Sequence, residues 1–240
     1  MSLKAIILAA GRGSRMKNMT KDKPKCLIKV RGKTLLELQL QTFRKSGINE
    51  IAIVTGYKRD MLSNYDLTEF YNSNWADTQM VESLASASDW LEYDQCIVSY
   101  GDIFYDESAI QSLLQLNYKA NIALVYDLNW LKLWKTRFGD PLIDSETFRI
   151  NSDSTLKEIG NKPNLISEIQ GQYMGLMRFT SDGWKEFQNV RSLIPQIKAN
   201  SMDMTETLQL FLSKSSMPIF TVPYDGFWGE VDTESDLKFY

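Results

Sequence analysis

The stretch Leu8-Ala-Ala-Gly11-Arg-Gly13-Ser-Arg15-Met16 decides the fold, because it joins an apolar run at residues 4–10 to a turn with two glycines. An unbroken apolar run of this length predicts a strand that is buried on both faces. Glycine lets backbone N–H groups approach an anion closely, and a helix that follows adds a positive dipole. The sequence therefore predicts a phosphate-binding turn, in which Arg15 adds charge-assisted hydrogen bonds, with an ordinary strand–helix turn as the alternative.

Two familiar nucleotide-binding motifs do not fit this turn. A dinucleotide fingerprint needs a third glycine three residues after Gly13, where Met16 stands, and the Gly-Lys-Ser/Thr of a P-loop is absent. A lysine further along strengthens the phosphate interpretation, because Pro24 fixes the backbone just before Lys25. We expect Lys25 to point at the same anion as the turn, although by itself it would be typical of a solvated surface lysine.

Apolar runs and helical periodicity alternate along the first half of the chain. Thr34 with Glu37 predicts the capped start of one helix, and Gly47 predicts its end. The alternation predicts an α/β protein, Rossmann-like, with three α/β/α layers and a mixed, mostly parallel sheet. The predicted strands are residues 4–10, 50–55, 95–100 and 120–127, and the predicted helices are residues 33–46, 76–91 and 106–116.

The pattern changes after Asp127. We find no linker rich in Pro, Gly or Ser, so the prediction is one domain over residues 1–240, with a substrate-facing subregion at about 127–180. The shorter strands of the second half are expected to pair antiparallel. They are predicted at residues 146–150, 155–159 and 172–179, followed by helices at 181–189 and 203–213 and a strand at 218–222.

The composition excludes several classes of function. A net charge of −3 over 240 residues and a pI near 5.2 argue against nucleic-acid or anionic-membrane partners. The chain has no histidine, which excludes histidine acid–base catalysis, histidine triads and histidine-ligated zinc. Cys26 and Cys96 form no CxxC pair and favour a reduced, cytoplasmic protein. No apolar run reaches about 18 residues, so we expect no membrane span, and the N-terminus does not resemble a signal peptide.

Two acidic segments are candidates for a metal site. Asp102 follows Gly101 at the end of a predicted strand, where ligands sit in open α/β sheets, and carboxylate oxygens suit Mg²⁺. Glu230 and Asp232 share one side of an extended segment near the C-terminus. We hypothesise that Asp102 and Asp232 converge on one Mg²⁺ over the glycine turn. The plainer alternatives are a Gly-Asp turn at Asp102, and a solvated face or a helix cap at Asp232.

Together, the glycine turn, Lys23-Pro-Lys25, Gly101-Asp102 and Glu230-Val-Asp232 resemble the nucleotidyltransferase family with the GT-A-like, nucleotide-diphospho-sugar transferase-like fold. The resemblance covers residues 3–237, and the ordered set of motifs is specific. It implies an enzyme that transfers a nucleoside monophosphate from an NTP with Mg²⁺ as cofactor. The catalytic residues that it implies are Arg15, Lys25, Asp102 and Asp232, of which the two aspartates hold the metal. The nucleotide-binding residues that it implies are Leu8, Ala9, Ala10, Gly11, Gly13, Arg15, Lys25, Gln79, Ser83, Tyr100 and Gly101.

Four further segments, at residues 74–84, 140–146, 156–160 and 168–175, are similar to phosphocholine cytidylyltransferase-like and phosphoglutamine cytidylyltransferase-like enzymes. One departure is Gln79, where that family usually has Asn. The resemblance implies transfer of CMP from CTP to a small phosphorylated or phosphonate acceptor, with release of pyrophosphate, in the cytoplasm and within cell-surface polysaccharide biosynthesis. The alternatives are a sugar-1-phosphate nucleotidylyltransferase that uses UTP, dTTP or GTP, a non-catalytic nucleotide-binding regulator, and a GT-A glycosyltransferase, a class that usually carries Asp-x-Asp.

The subregion after Asp127 supplies candidate acceptor contacts. An aromatic wall with a carboxylate suits a cationic amine or quaternary ammonium group, and Arg137 or Lys162 suits the acceptor's phosphate. Trp130 and Trp134 are four residues apart, so they are also typical of one packed helical face. The predicted acceptor-binding residues are Trp130, Arg137, Asp144, Glu168, Gln172, Tyr173 and Trp228.

Overall fold

A seven-stranded sheet lies at the centre of the computed structural model, which describes residues 2–117 and 120–240. The strands are β1 (Leu3–Ala9), β2 (Lys29–Val30), β3 (Lys33–Thr34), β4 (Ile51–Thr55), β5 (Thr68–Tyr71), β6 (Gln95–Tyr100), β7 (Ile103–Tyr105), β8 (Ile122–Asp127), β9 (Phe148–Ile150), β10 (Leu156–Ile159), β11 (Gln172–Phe179), β12 (Ile219–Tyr224) and β13 (Trp228–Glu230). The α-helices are α1 (Leu35–Lys45), α2 (Met80–Ala85), α3 (Ser88–Leu91), α4 (Glu107–Leu114), α5 (Trp130–Phe138), α6 (Ser181–Ser192), α7 (Gln196–Ser201) and α8 (Met204–Lys214). Short 3-10 helices occupy Ser14–Thr20, Lys25–Leu27, Arg59–Tyr65, Ile166–Glu168 and Glu234–Phe239.

The strand order in the central sheet is β12-β8-β11-β6-β1-β4-β5. Every neighbouring pair is parallel except those of β11, which runs antiparallel to both β6 and β8. Parallel strands are covered on both faces, and all residues of β4 and of β8 are buried. The prediction of a mixed, mostly parallel sheet is confirmed.

Helices cover both faces of the sheet, which gives the predicted three layers. Alternate side chains of β1 point to opposite faces, so Ile7 packs on one side and Ile6 on the other. The Ile7 side is covered by α1, α4 and α5, and the Ile6 side by α2, α3, α6 and α8. Each large apolar side chain buried in these layers stabilises the fold by about 1.5–3 kcal/mol relative to an exposed one.

Helix α1 lies within the predicted range of residues 33–46, with its N-cap at the predicted Thr34, while Lys33 and Thr34 form β3. The Thr34 hydroxyl accepts a hydrogen bond from the Glu37 backbone N–H at 3.1 Å, and the Glu37 carboxylate accepts one from the Thr34 N–H at 2.7 Å. This capping box satisfies two helix-end donors that would otherwise lack partners. Gly47, with φ of +84°, follows the helix.

Two predictions about secondary structure are wrong in detail. The helix predicted at residues 76–91 is divided into α2 and α3, because Ala87 leaves helical geometry with φ of −97° and ψ of 20°. The segment before α2 is held in a turn instead, since the Asn72 carboxamide oxygen accepts a hydrogen bond from the Asn74 N–H. The sequence predicts β11 as one of the short antiparallel strands of the second half. It is antiparallel but belongs to the central sheet, whereas β9 and β10 pair with each other.

The C-terminal segment returns to the middle of the chain. Strand β13 pairs antiparallel with β7, which lies just after β6, and the register places Glu230 opposite Ile103. We propose on the basis of the continuous central sheet that residues 1–240 form one domain, whose subregion at about 127–180 supplies β9, β10 and α5. None of the helices within residues 2–117 and 120–240 has the length and apolar character that a membrane crossing requires.

Candidate active site

The site lies where β1 and β6 end side by side at the same edge of the sheet. Leu8 is paired with Tyr100, and the Gly101 N–H donates a hydrogen bond to the Leu8 carbonyl at 2.9 Å. A Cβ at position 101 would stand 2.5 Å from that carbonyl oxygen, so only glycine fits this close approach. The carboxyl ends of parallel strands are where open α/β sheets bind their ligands.

The two glycines of the turn have different roles. A Cβ at Gly11 would meet nothing within 4 Å, so this backbone faces open space in which an anion can approach. Gly13 has φ of +67°, and a Cβ there would stand 2.7 Å from Cδ of Lys25. Gly13 therefore both adopts a backbone conformation that L-residues rarely take and leaves room for the lysine stem.

Lys25 bridges the two aspartates that the sequence singled out. Its Nζ donates to Oδ2 of Asp102 at 2.7 Å and to Oδ1 of Asp232 at 2.9 Å. The two carboxylates, from the middle and the end of the chain, therefore lie close together beside the glycine turn. Burial acts to lower the pKa of Lys25, but the attraction of the two carboxylates and the hydrogen bonds to them outweigh it, so the pKa is raised. The lysine is a fixed positive charge at neutral pH.

Arg15 approaches the same cluster from the solvent side. Its Nη1 lies 2.5 Å from Oδ2 of Asp232, and its side chain is 69% exposed. The guanidinium end of this pair is exposed and the buried Asp232 keeps Lys25 as a second partner, so Arg15 can exchange Asp232 for a phosphate at small cost.

A cavity of about 280 Å³ opens above the turn. Asn72 holds part of its far wall, because its Nδ2 donates to the hydroxyls of Thr78 and Ser83, each at 3.0 Å. All the predicted nucleotide-binding and catalytic residues line this cavity, together with Cys26 and the unpredicted Ser14, Trp75, Thr78 and Met80. Gln79 lies at the start of α2 with an exposed side chain.

A second cavity, of about 460 Å³, adjoins the first. Arg15, Met80 and Tyr100 line both, so the two cavities form one continuous cleft. The second cavity has more acidic than basic side chains in its wall, since Asp144, Glu146, Asp203 and Glu230 line it against Arg15 and Lys162. Lys162, which the sequence offers as a contact for the acceptor's phosphate, therefore lies in this wall. Of the predicted acceptor-binding residues, Asp144, Gln172 and Tyr173 lie in its wall.

The structure places the remaining predicted acceptor contacts elsewhere. Trp130 and Trp228 are buried among the helices on one face of the sheet. Glu168 accepts hydrogen bonds from the backbone of its own turn and from Arg149, and Arg137 is buried in ion pairs with other side chains. These four residues are not brought into the cleft.

Several cavity residues were not among the sequence predictions. Asp203 has the pattern of a helix cap, and it does accept a hydrogen bond from the Glu206 N–H at the start of α8. Trp134 and Glu146 belong to the subregion that the sequence assigns to the acceptor, but they are not among its predicted contacts. What would have identified them is their tertiary placement, which local sequence does not contain.

A family model for the MobA-like NTP transferase domain matches residues 5–146 of the chain. The chain belongs to this family. It is 36% identical, over 98% of its length, to CTP:phosphoglutamine cytidylyltransferase from Campylobacter jejuni, of which it covers 98%. Choline-phosphate cytidylyltransferase from Streptococcus pneumoniae is 25% identical over 86% of this chain and 94% of its own.

The nucleotidyltransferase also resembles solved structures. The inositol-1-phosphate CTP transferase from T. maritima gives a TM-score of 0.77 at 18% identity, and the match covers 97% of this chain and 90% of that one. This likeness shows the fold, which is that of the nucleotide-diphospho-sugar transferases. The resemblance to nucleotidyltransferases in the sequence, and the prediction of an enzyme of this class, are confirmed.

Nucleotidyltransferases of this family commonly use a divalent metal ion. One feature of this enzyme fits that requirement: Oδ1 of Asp102 is buried and has no hydrogen-bond partner among the described residues. Within residues 2–117 and 120–240, no group of three or more His, Cys, Asp and Glu could hold a metal. Asp102 and Asp232 would therefore need water and phosphate oxygens as further ligands, which is the mode that Mg²⁺ favours.

The acidic cavity of the nucleotidyltransferase includes Glu146, a carboxyl group whose pKa is strongly raised. Burial and the nearby charge of Asp203 raise the pKa of Glu146 to about 7, although a hydrogen bond from the Thr205 hydroxyl acts in the opposite direction. Glu146 is therefore close to half protonated at neutral pH. A cation placed in the cavity would draw this group into its charged form.

Proposed function

We propose that the enzyme transfers CMP from CTP to a small phosphorylated or phosphonate acceptor that carries a positive charge, with release of pyrophosphate. The observation that supports this most strongly is the position of Arg15, which lines both cavities of the cleft. A group there can contact a nucleotide phosphate on one side and the acceptor's phosphate on the other. The two relatives described above, a CTP:phosphoglutamine cytidylyltransferase and a choline-phosphate cytidylyltransferase, support this proposal.

The nucleotide belongs in the cavity above the glycine turn. A phosphate can come close to the backbone at Gly11, because a Cβ there would meet nothing within 4 Å. Arg15 and Lys25 would neutralise the triphosphate and the departing pyrophosphate. The carboxylates that hold these two cations in the unliganded enzyme would be released as the phosphates replace them.

The chemistry needs no general base. The second pKa of a phosphate monoester is about 6, so the attacking oxygen is mostly ionised at neutral pH. That oxygen forms a bond to the α-phosphorus of CTP while the bond to the β-phosphate oxygen breaks, and the electron pair leaves with pyrophosphate. The protein must bring two anions together and hold them in line, which is a task of positioning and charge neutralisation. This requirement agrees with a chain that has no histidine.

We propose Mg²⁺ as the cofactor, held by Asp102 and Asp232. When bound, it would neutralise phosphate charge and polarise the α-phosphate as a Lewis acid. Oδ1 of Asp102 is buried and has no hydrogen-bond partner among the described residues. The two carboxylate oxygens of Asp232 contact one cation each, Oδ2 contacting Arg15 and Oδ1 contacting Lys25. The role of the chain's own residues is to present these oxygens beside the phosphates.

The acidic cavity favours a cationic acceptor over a neutral sugar. Asp144, Glu146, Asp203 and Glu230 are near one another in its wall, and burial raises the pKa of both Asp144 and Glu146. Carboxylates in a confined space repel one another, and an ammonium group relieves that repulsion. Tyr173 and Trp134 add aromatic surface for the same group. A sugar 1-phosphate offers no positive charge to this cavity.

A panel of substrates tests the proposal. Pyrophosphate release is measured with CTP and each of phosphoglutamine, phosphocholine, 2-aminoethylphosphonate and glucose 1-phosphate, and then with UTP, dTTP and GTP in place of CTP. We expect turnover with CTP and an acceptor that carries an amino or ammonium group. Turnover only with glucose 1-phosphate would replace the proposal with a sugar-1-phosphate nucleotidylyltransferase. Turnover only with UTP, dTTP or GTP would refute the transfer of CMP.

The state of the two cysteines bears on the cellular compartment in which the enzyme acts. Cys26 and Cys96 are free and buried, and burial raises the pKa of each thiol to about 12, so both are unreactive. Free thiols that are not paired favour a reducing compartment, and we propose the cytoplasm. A role in cell-surface polysaccharide biosynthesis remains a prediction from the sequence resemblance.

A further inference from the structure

Arg137 is almost completely buried, although it is a charged residue in the last turn of α5. Its side chain is 1% exposed, and its Nε donates to Oδ1 of Asp236 at 2.9 Å while its Nη1 donates to Oε2 of Glu230 at 3.0 Å. A buried guanidinium is costly unless its hydrogen bonds are satisfied, so these partners fix its position. Arg137 does not line either cavity of the cleft.

The partner of Arg137 holds the backbone of a candidate metal ligand. The other oxygen of Asp236, Oδ2, accepts a hydrogen bond from the Asp232 N–H at 3.0 Å and from the Thr233 N–H at 2.7 Å. Asp236 is itself buried. The carboxylate therefore joins Arg137 on one side to the peptide of Asp232 on the other.

The segment that carries Asp232 is anchored at two points. On its N-terminal side, the Val231 N–H donates to the Asp102 carbonyl at 3.0 Å, which ties this segment to the loop of the other aspartate. On its C-terminal side, the anchor is Asp236. The direction in which the Asp232 side chain leaves the backbone depends on both, because each fixes one of two successive peptide N–H groups.

We infer that Arg137 is a positioning residue that sets Asp232 through Asp236, and not a contact of the acceptor. The inference rests on the proposed function for its kinetic consequence, but the geometry is a property of the chain itself. Partners of this kind, which orient a ligand without touching the substrate, typically change affinity or activity by roughly 10–100-fold when they are removed. The hydrogen bond from Arg137 to Asp236 explains why an arginine is buried in α5, although α5 is far from Asp232 in the sequence.

Hydrogen exchange of the unliganded protein tests the positioning role without any assay of activity. We compare the wild type with Arg137→Lys, which keeps the buried charge but loses the two-armed geometry. The amides of Asp232 and Thr233 should exchange roughly three- to tenfold faster in the variant, the loss expected for weakened hydrogen bonds. The matched control is Arg178→Lys, because Arg178 is equally buried but donates to the carbonyls of Leu113 and Ala120, at the opposite edge of the sheet.

A second pair of variants separates positioning from general destabilisation. Asp236→Asn keeps an oxygen that accepts from the Asp232 N–H, so the double variant Arg137→Met with Asp236→Asn replaces the charged pair with a neutral one. We expect slower exchange at Asp232 in the double variant than in Arg137→Met alone. Equal or faster exchange in the double variant would overturn the inference, as would unchanged exchange at Asp232 in Arg137→Lys.

Steady-state kinetics with CTP and phosphoglutamine supply the functional readout. Positioning predicts that Arg137→Lys lowers kcat by roughly 10–100-fold and leaves the KM for phosphoglutamine unchanged. A raised KM for phosphoglutamine with an unchanged kcat would overturn the inference, because it would place Arg137 on the acceptor. If the wild type fails to transfer CMP, the proposed function fails, and the exchange measurement still decides the role of Arg137.

Discussion

The side chain of Lys25 lies against Gly13, and a Cβ at position 13 would stand 2.7 Å from its Cδ. The glycine turn thus does more than leave space for phosphate. Because Gly13 has no side chain, it also leaves room for the Lys25 side chain to reach Asp102 and Asp232. The Lys25 Nζ donates to these carboxylates at 2.7 Å and 2.9 Å. The lysine and the turn form one unit, although ten or more residues separate them in the sequence.

The first prediction concerns Gly13→Ala. The added methyl group displaces Lys25, so we expect CMP transfer to fall by roughly 10²–10³-fold, the range for losing one preorganised charge contact. Pyrophosphate release measures the loss. The matched control is Gly32→Ala, because Gly32 also has a positive φ, +84°, but a Cβ there would meet nothing within 4 Å. The control should lose about 1–2 kcal/mol of stability from backbone strain and keep its activity. Equal activity loss in both variants would contradict the role of the Gly13–Lys25 contact.

The second prediction concerns Lys25→Met and the proposed cation site. Removal of the lysine leaves two neighbouring carboxylates without their shared partner, and breaking a buried ion pair costs about 3–5 kcal/mol. We expect a lower Tm, and we expect Mn²⁺ without nucleotide to raise the Tm of this variant more than that of the wild type. The Tm of the double variant Lys25→Met with Asp232→Asn should respond weakly to Mn²⁺. A Tm of Lys25→Met that does not respond to Mn²⁺ would argue against a cation between Asp102 and Asp232.

The third prediction is a pH dependence that arises from Glu146. Its pKa is about 7 in the folded protein and lies above its ordinary value because of burial and Asp203, so the folded state holds the proton more tightly than the unfolded state. The contribution of this group to stability therefore falls as pH rises from the ordinary carboxyl pKa to about 7. Glu146→Gln should be more stable than the wild type at pH 8, and the difference should be close to zero only at about pH 4, below the ordinary carboxyl pKa. Chemical denaturation at both pH values measures it.

The same residue gives a fourth prediction for acceptor binding. A bound ammonium group favours the ionised form of Glu146, so the affinity for phosphocholine should rise as pH rises through about 7. Calorimetric titration between pH 6 and 8 measures this slope. In Glu146→Gln the affinity for phosphocholine should be lower. Its remaining change with pH should be only the one that titration of the phosphate group of phosphocholine produces. An identical slope in the variant would remove Glu146 from the ammonium site.

The sequence predicts those parts of the molecule whose causes are local. The strand before Gly11, the capping box of Thr34 and Glu37, and the Gly101-Asp102 strand end each follow from a pattern within a few residues. Their arrangement also follows, because parallel strands such as β1 and β6 must end at the same edge of the sheet. The hypothesis that Asp102 and Asp232 approach each other came from that rule together with the family resemblance.

The acceptor side was harder to predict because its residues act through distant partners. Arginine is a residue type that often contacts phosphate. In the folded chain, however, Asp236 and Glu230, which lie 99 and 93 residues away in the sequence, hold Arg137 in the interior. Trp130 and Trp134 lie on one helix with ring centroids 6.3 Å apart, yet only Trp134 reaches the acidic cavity. Glu146 gives no local signal of its shifted pKa, because burial and Asp203 produce that shift only in the folded chain.

The most direct test of the central claim is the formation of a CDP-linked product from CTP and phosphoglutamine, detected by mass spectrometry, in the wild type, Asp102→Asn and Asp232→Asn. We expect product and pyrophosphate in equal amounts from the wild type. We expect a fall of roughly 10²–10³-fold in each variant, with circular dichroism spectra like that of the wild type. Near-normal product formation in Asp232→Asn, or no CMP transfer by the wild type to any acceptor of the panel, would contradict it.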